Sequence, residues 1–157
     1  MKKNFLLPPL FKKIGLWMVL PFLVLSVLCV LELEILPDVG LYMKMPALVD
    51  GYGERNWFCF AETDIIDEFS MLGLLVSLVF IALSREYDED EMTTTIRMGS
   101  FVWSAWASSI VLSIGILFVF GIDFLLVGFL AMYLFLALYI IKFNYTMSIE
   151  RKNRYEE

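Results

Sequence analysis

The chain has no histidine, only two cysteines, and charge on fewer than one residue in five across 157 positions. Without histidine it lacks the commonest general base, the commonest metal ligand and any Ser-His or Cys-His pairing. Its thiols, Cys29 and Cys59, do not suit an internal disulfide, because Cys29 falls inside an apolar run. A bridge between two chains through Cys59 stays open. No glycine-rich phosphate loop and no nucleophile motif occurs. Basic residues are also scarce: 12 Lys and Arg stand against 18 Asp and Glu, for a net charge of −6. With no basic stripe to offset that balance, nucleic acid is not an expected partner. The expectation is a protein that is not an enzyme and holds no cofactor or metal.

What the chain has in excess is apolar surface. Hydrophobic residues make up 60% of it, with a mean hydropathy of +0.76, more than soluble domains carry. Uncharged runs cover Ile14 to Leu31, Phe69 to Leu83, Ser100 to Phe120 and Phe124 to Ile141. A helix of about 20 residues crosses the roughly 30 Å hydrocarbon core. The second run reaches that length when the helix begins at Ile65. The predicted fold is all-α, an integral membrane four-helix up-down bundle in one domain. Its spans are residues 14–36, 65–84, 100–120 and 122–143, with an outer loop at 37–64 and an acidic loop at 85–99. The first run follows "MKK" and "FKK" but leads into "LELEILPD", which offers no small-residue cleavage site, so it reads as a retained anchor.

Orientation follows from Lys and Arg. Lys2, Lys3, Lys12 and Lys13 precede the first span, Arg85 and Arg97 flank the acidic loop, and Lys142, Arg151, Lys152 and Arg154 follow the last span. The other side receives Lys44 and Arg55. The positive-inside rule places both termini and the acidic loop in the cytoplasm.

Within the spans, Pro21 predicts a kink or a hinge. The third span repeats small residues, with Ser104 four before Ser108, and Ala105, Ser109 and Ser113 also four apart. Such spacing lets helix backbones approach closely, inside the bundle or across a homo-oligomer face. Ser104, Ser108, Ser109 and Ser113 are equally the candidates for a polar path in a small transporter or channel. No ionisable residue sits mid-span, which removes the usual signature of ion-coupled transport. The fourth span is aromatic, from Phe124 and Phe129 to Tyr139 and Phe143, either lipid-anchoring or a stacked ligand site.

At the outer rim Glu32, Glu34, Asp64, Asp67, Glu68 and Asp123 gather. They are read as helix caps and first-turn acids, or else as oxygen ligands for a divalent cation, or as the carboxylates of a membrane enzyme. Met43, Met45 and Cys59 form a soft set that would suit Cu(I). Trp57, Phe58 and Phe60 suit the membrane interface, and Gly51 and Gly53 around Tyr52 mark a turn.

The acidic loop "SREYDEDEMTTTIR" holds Glu86, Asp88, Glu89, Asp90 and Glu91 within six residues. Inside a bilayer each would cost about 2.5–3.5 kcal/mol, so the loop lies in water. The second helix is expected to run on past Arg85, with Thr93 to Thr95 supplying caps and Arg97 pairing back to the acids. Together with "FKKIGLWMVLP", "FCFAETDIIDE" and "IIKFNY", this loop resembles that of a group of small, uncharacterised four-span inner-membrane proteins of Bacteroidota. Ser84, Arg85, Glu86, Glu89, Asp90, Glu91 and Arg97 match the group's loop pattern. The resemblance implies a multi-pass inner-membrane protein and carries no activity with it. The leading expectation is an interaction or regulatory protein in the lipid bilayer. It would offer Glu86, Asp88, Glu89, Asp90 and Glu91, closed by Arg97, to a basic cytoplasmic protein.

Overall fold

The computed structural model describes residues 6–30, 42–50, 56–87, 90–121 and 123–156. The elements are α1 (Leu10–Val30), β1 (Tyr42–Asp50), β2 (Asn56–Asp64), α2 (Ile65–Ala82), α3 (Glu91–Phe118) and α4 (Asp123–Glu156). All four helices are long and apolar enough to cross a membrane. Pro8 and Pro9 stand just ahead of α1, where a fixed φ favours helix entry, and their carbonyls accept from the Phe11 and Lys12 N–H groups.

The boundaries differ from the sequence reading in three places. First, α3 and α4 have 28 and 34 residues, so they extend ~42 and ~51 Å, beyond the ~30 Å apolar core. Most of the expected 85–99 loop is therefore the opening of α3. Second, α2 stops at Ala82 instead of running past Arg85. The chain there turns to bond to residues ahead of α1: Leu7 N–H donates to Leu83 O and Arg85 N–H to Leu7 O, both at 2.9 Å. Third, residues 42–64 are not only loop. β1 and β2 form an antiparallel hairpin in which Tyr42 faces Asp64, Lys44 faces Glu62 and Asp50 faces Asn56, so the helices are joined by a small sheet that an all-α description omits. The alternating apolar residues on either side of Gly51 and Gly53 were its sequence signal.

The chain divides into two compact units, Met1–Trp17 with Leu75–Glu157, and Met18–Leu74. In the first, the start of α1 lies against the end of α2. A Cβ on Gly15 would stand 2.7 Å from the Ser77 carbonyl oxygen, and the Phe11 and Phe80 rings meet edge to face at 5.0 Å. In the same unit α3 and α4 run antiparallel. Phe101 meets Phe135 and Tyr139 at 5.3 and 6.1 Å, while fourteen residues on, Gly115 lies under Val127. Gly121, at φ +83°, makes the left-handed step between these two helices. In the second unit the Phe22 ring covers Gly73 and meets Phe69 at 5.6 Å.

Burial is the inverse of a water-soluble core. Among the described residues, the largest fully buried side chains are Ser70, Ser77 and Ser104. Trp17 and Phe118 meanwhile are 81% and 77% exposed. Large apolar groups outside and small hydroxyls within are what helix packing in lipid demands, since lipid solvates leucine as well as protein does and close backbone approach supplies the contact.

Candidate functional site

The densest polar constellation lies in the first unit, where the end of α2 meets α1, α3 and α4. Glu86 is drawn inward, its side chain 11% exposed. One carboxylate oxygen pairs with Lys12 Nζ, and the other is 3.2 Å from Arg151 Nη2. Lys12 also donates to Asn144 Oδ1 at 3.3 Å. Three stretches 65 and 74 residues apart in sequence are thus fastened by one carboxylate. Arg151 is 55% exposed and Lys12 32%, so the Arg151 pair is screened and contributes under about 1 kcal/mol. Glu86→Gln keeps the shape but removes the charge between two cations, and should lower unfolding free energy by about 1–2 kcal/mol. Arg151→Gln should cost less than Lys12→Gln, and unfolding in mixed detergent micelles checks the order.

Beside it, Arg97 closes the C-terminal end of α2. Its Nη1 donates to Ala82 O at 3.1 Å and Tyr139 Oη at 3.3 Å, and Nη2 donates to Ser84 O at 3.2 Å. The guanidinium also lies 4.7 Å over the Phe143 ring. A helix leaves its last carbonyls without intrahelical donors, and the arginine supplies them. The described contacts of Arg97 include carbonyls, a phenol and a ring.

The acids of the loop have separate fates. Asp90, not a threonine, caps α3, its carboxylate accepting from Met92 N–H. Thr94 and Thr95 donate back to Asp90 O and Glu91 O, and Thr93 is buried, so the three threonines belong to the helix. Glu91 lies exposed in its first turn, where it complements the helix dipole. Asp88 and Glu89 lie outside the described residues. Tyr87 is 91% exposed. Glu86 and Asp90 are thus each engaged in defined contacts.

The third-span residues divide between faces. Ser104 and Ser108 are buried, joined on that side by Ser100, whereas Ser109 and Ser113 are exposed. Ser109 and Ser113, with Ala105, line an open groove of about 460 Å³ formed by α3 side chains including Trp106 and Leu117. Each of the four serines donates its proton to its own helix, at 2.7 to 3.1 Å.

Asp67 and Glu68 occupy the first turn of α2 as expected. Asp64 ends β2 and Asp123 opens α4. Glu32 and Glu34 lie outside the described residues. Met43 and Met45 sit two apart on β1, and Cys59 stands opposite Ala47 in the ladder. Among the described residues no three His, Cys, Asp or Glu side chains are placed to hold a metal ion. Cys29 accepts from the Ser70 hydroxyl at 3.9 Å.

Sequence reasoning passed over Lys12, Tyr139, Asn144 and Arg151 as participants, and also the buried serines of α2. Ser70 and Ser77 stand seven residues apart, two helical turns, and that spacing was the available signal. Comparisons with family models, with curated proteins and with solved structures found no match to this chain.

Proposed function

We propose that this chain is a non-enzymatic integral protein of a bacterial inner membrane, crossing four times up and down with both termini cytoplasmic. In this reading it presents an acidic turn to a basic cytoplasmic partner. The observation that carries it is the division of labour in residues 86–91: Glu86 and Asp90 are spent on holding the turn, while Tyr87 and Glu91 face outward. Asp88 and Glu89 lie between them in the sequence. An exposed aromatic, Tyr87, and an exposed carboxylate, Glu91, in so acidic a stretch give electrostatic selectivity for a basic surface. The excess of Lys and Arg at the termini and this turn supports the cytoplasmic assignment. The transport reading, with a path along Ser104, Ser108, Ser109 and Ser113, has less support, because those serines face two ways.

The test is purification of tagged protein in mild detergent at low salt, with retained proteins identified by mass spectrometry. It is then repeated with Asp88→Asn, Glu89→Gln, Asp90→Asn and Glu91→Gln combined. Asparagine keeps the α3 cap, so folding is preserved. A basic cytoplasmic protein should be retained in stoichiometric amount by the native chain and at least about tenfold less by the variant, with a similar loss on raising the salt. If the variant retains every companion of the native chain, the turn is a solvated connection and nothing more.

A further inference from the structure

Where α1 begins and α4 leaves its uncharged run, the cations of the first unit differ in what holds them. Lys12 and Arg151 share the Glu86 carboxylate, and Arg97 serves the carbonyls of Ala82 and Ser84. Lys142 instead lies against an aromatic face, its Nζ 5.4 Å from the centre of the Trp103 ring. The ring quadrupole orients an ammonium but carries no net charge, so the positive charge stays uncompensated. Among the described residues no carboxylate pairs with Lys142, and no acceptor takes the Trp103 indole proton. Two donor groups, one of them a full cation, thus meet at one place, and Trp103 is 47% exposed there.

The depth of the pair identifies the anion it meets. Phe124 to Ile141 carries no charge and as helix is ~27 Å long, close to the thickness of the hydrocarbon core. Lys142 is the first residue past that run. On antiparallel α3, Trp103 lies six residues beyond Arg97, just inside the run that opens at Ser100. Phe101 fills the space between the two helices at that level, against Phe135 and Tyr139. A ligand therefore reaches the pair from the lipid side. The anions at that depth are headgroup phosphates, and an ammonium with an indole N–H supplies one with charge and a directed hydrogen bond. A zwitterionic lipid brings its own cation, which competes with Lys142 for the phosphate, so a lipid of net negative charge is favoured. We infer that Lys142 and Trp103 form a binding site for the phosphate of an anionic phospholipid, at the boundary where α4 leaves the hydrocarbon core.

The experiment titrates full-length protein in a nonionic detergent with phosphatidylglycerol, or with phosphatidylcholine of the same acyl chains, and counts bound lipid by native mass spectrometry. The native chain should hold one phosphatidylglycerol about fivefold more tightly than phosphatidylcholine, the effect of one lysine beside an anionic headgroup. Equal affinities for the two lipids would overturn the inference on the native chain alone. Lys142→Gln should bring phosphatidylglycerol down to the phosphatidylcholine affinity, and Lys142→Arg should keep most of the preference. Trp103→Phe, which keeps a ring but removes the indole donor, should weaken it by a smaller factor. Lys13→Gln removes another exposed cation at this end of the bundle, next to the Lys12 that reaches Asn144, and should leave the preference unchanged. A preference that survives Lys142→Gln, or that Lys13→Gln abolishes equally, would mean a diffuse positive surface with no site in it. Displacement of the lipid by equimolar inorganic phosphate would mean that the pair holds a free anion, and the lipid assignment would fall.

Discussion

Arg97→Ala is expected to lower the unfolding free energy by about 2–4 kcal/mol, the larger of the two effects that a single polar side chain produces in this fold. The guanidinium reaches the carbonyls of Ala82 and Ser84 and the Tyr139 hydroxyl, at 3.1 to 3.3 Å. Ala82, Ser84, Tyr139 and Phe143 are each at most 6% exposed, so water does not readily replace the lost donors. Each hydrogen bond from a charged donor is worth about 1.5–3 kcal/mol, and the stacking on Phe143 about 0.5–2 kcal/mol. Against these stands the cost of drying the guanidinium, which brings the net to the range given. Arg97→Lys separates charge from geometry. Lysine keeps the cation but has no planar fork to serve two carbonyls at once, so it should recover less than half of the loss. Unfolding of both variants in mixed micelles is the measurement. An alanine variant within about 0.5 kcal/mol of the native chain would show that the α2 terminus finds its donors elsewhere.

The spans were legible because lipid exposure writes itself into sequence as uncharged runs, and those runs became the four helices. The sequence did not show how far the helices continue past the apolar core. Threonine and arginine at 93–97 look like a loop when judged by hydropathy, yet Asp90 caps a helix that begins at Glu91. The hairpin was missed for a different reason: the long run of residues between the first two spans was weighed by charge and by single residues, and the period of two on either side of the glycines was left unused. In the acidic stretch, composition marked a cluster but could not rank its members. Glu86 differs from Glu91 only through Lys12 and Arg151, which are 74 and 65 residues away in sequence. Partners that distant leave no local periodicity. Ser70 and Ser77 were legible in principle, since a seven-residue spacing puts them on one side of α2, the helix whose Leu74, Leu78, Ile81 and Ala82 are also buried.

The helix pairs themselves are held by missing side chains, and the sharpest instance is Gly15. A Cβ there would stand 2.7 Å from Ser77 O, 2.8 Å from Ile81 Cγ1 and 3.1 Å from Phe80 Cβ. The first of these is backbone, which no rotamer change can move, so any side chain must push α1 off α2. That displacement would also disturb the Phe11–Phe80 ring contact, the Leu7–Ser84 bridge and the Lys12–Glu86 pair, all within a few residues. Gly15→Ala should therefore cost about 1–3 kcal/mol, and Gly15→Leu more than that, on the scale of overpacked cores. Gly73 makes a useful contrast. Its Cβ would meet the Phe22 ring at 2.3 to 2.6 Å, but that ring can swing aside, so Gly73→Ala should cost less than Gly15→Ala. Gly99 is the control, with nothing within 4 Å of its Cβ position in the middle of α3. There alanine removes unfolded-state freedom and should stabilise by up to about 1 kcal/mol. Chemical denaturation of the three alanine variants in one micelle composition ranks them. The order Gly15 worst, Gly73 intermediate and Gly99 neutral or better is the signature of backbone-to-backbone contact between α1 and α2. Equal effects at positions 15 and 99 would reduce the glycine at 15 to helix propensity alone, and the close approach of those two helices would have to be given up.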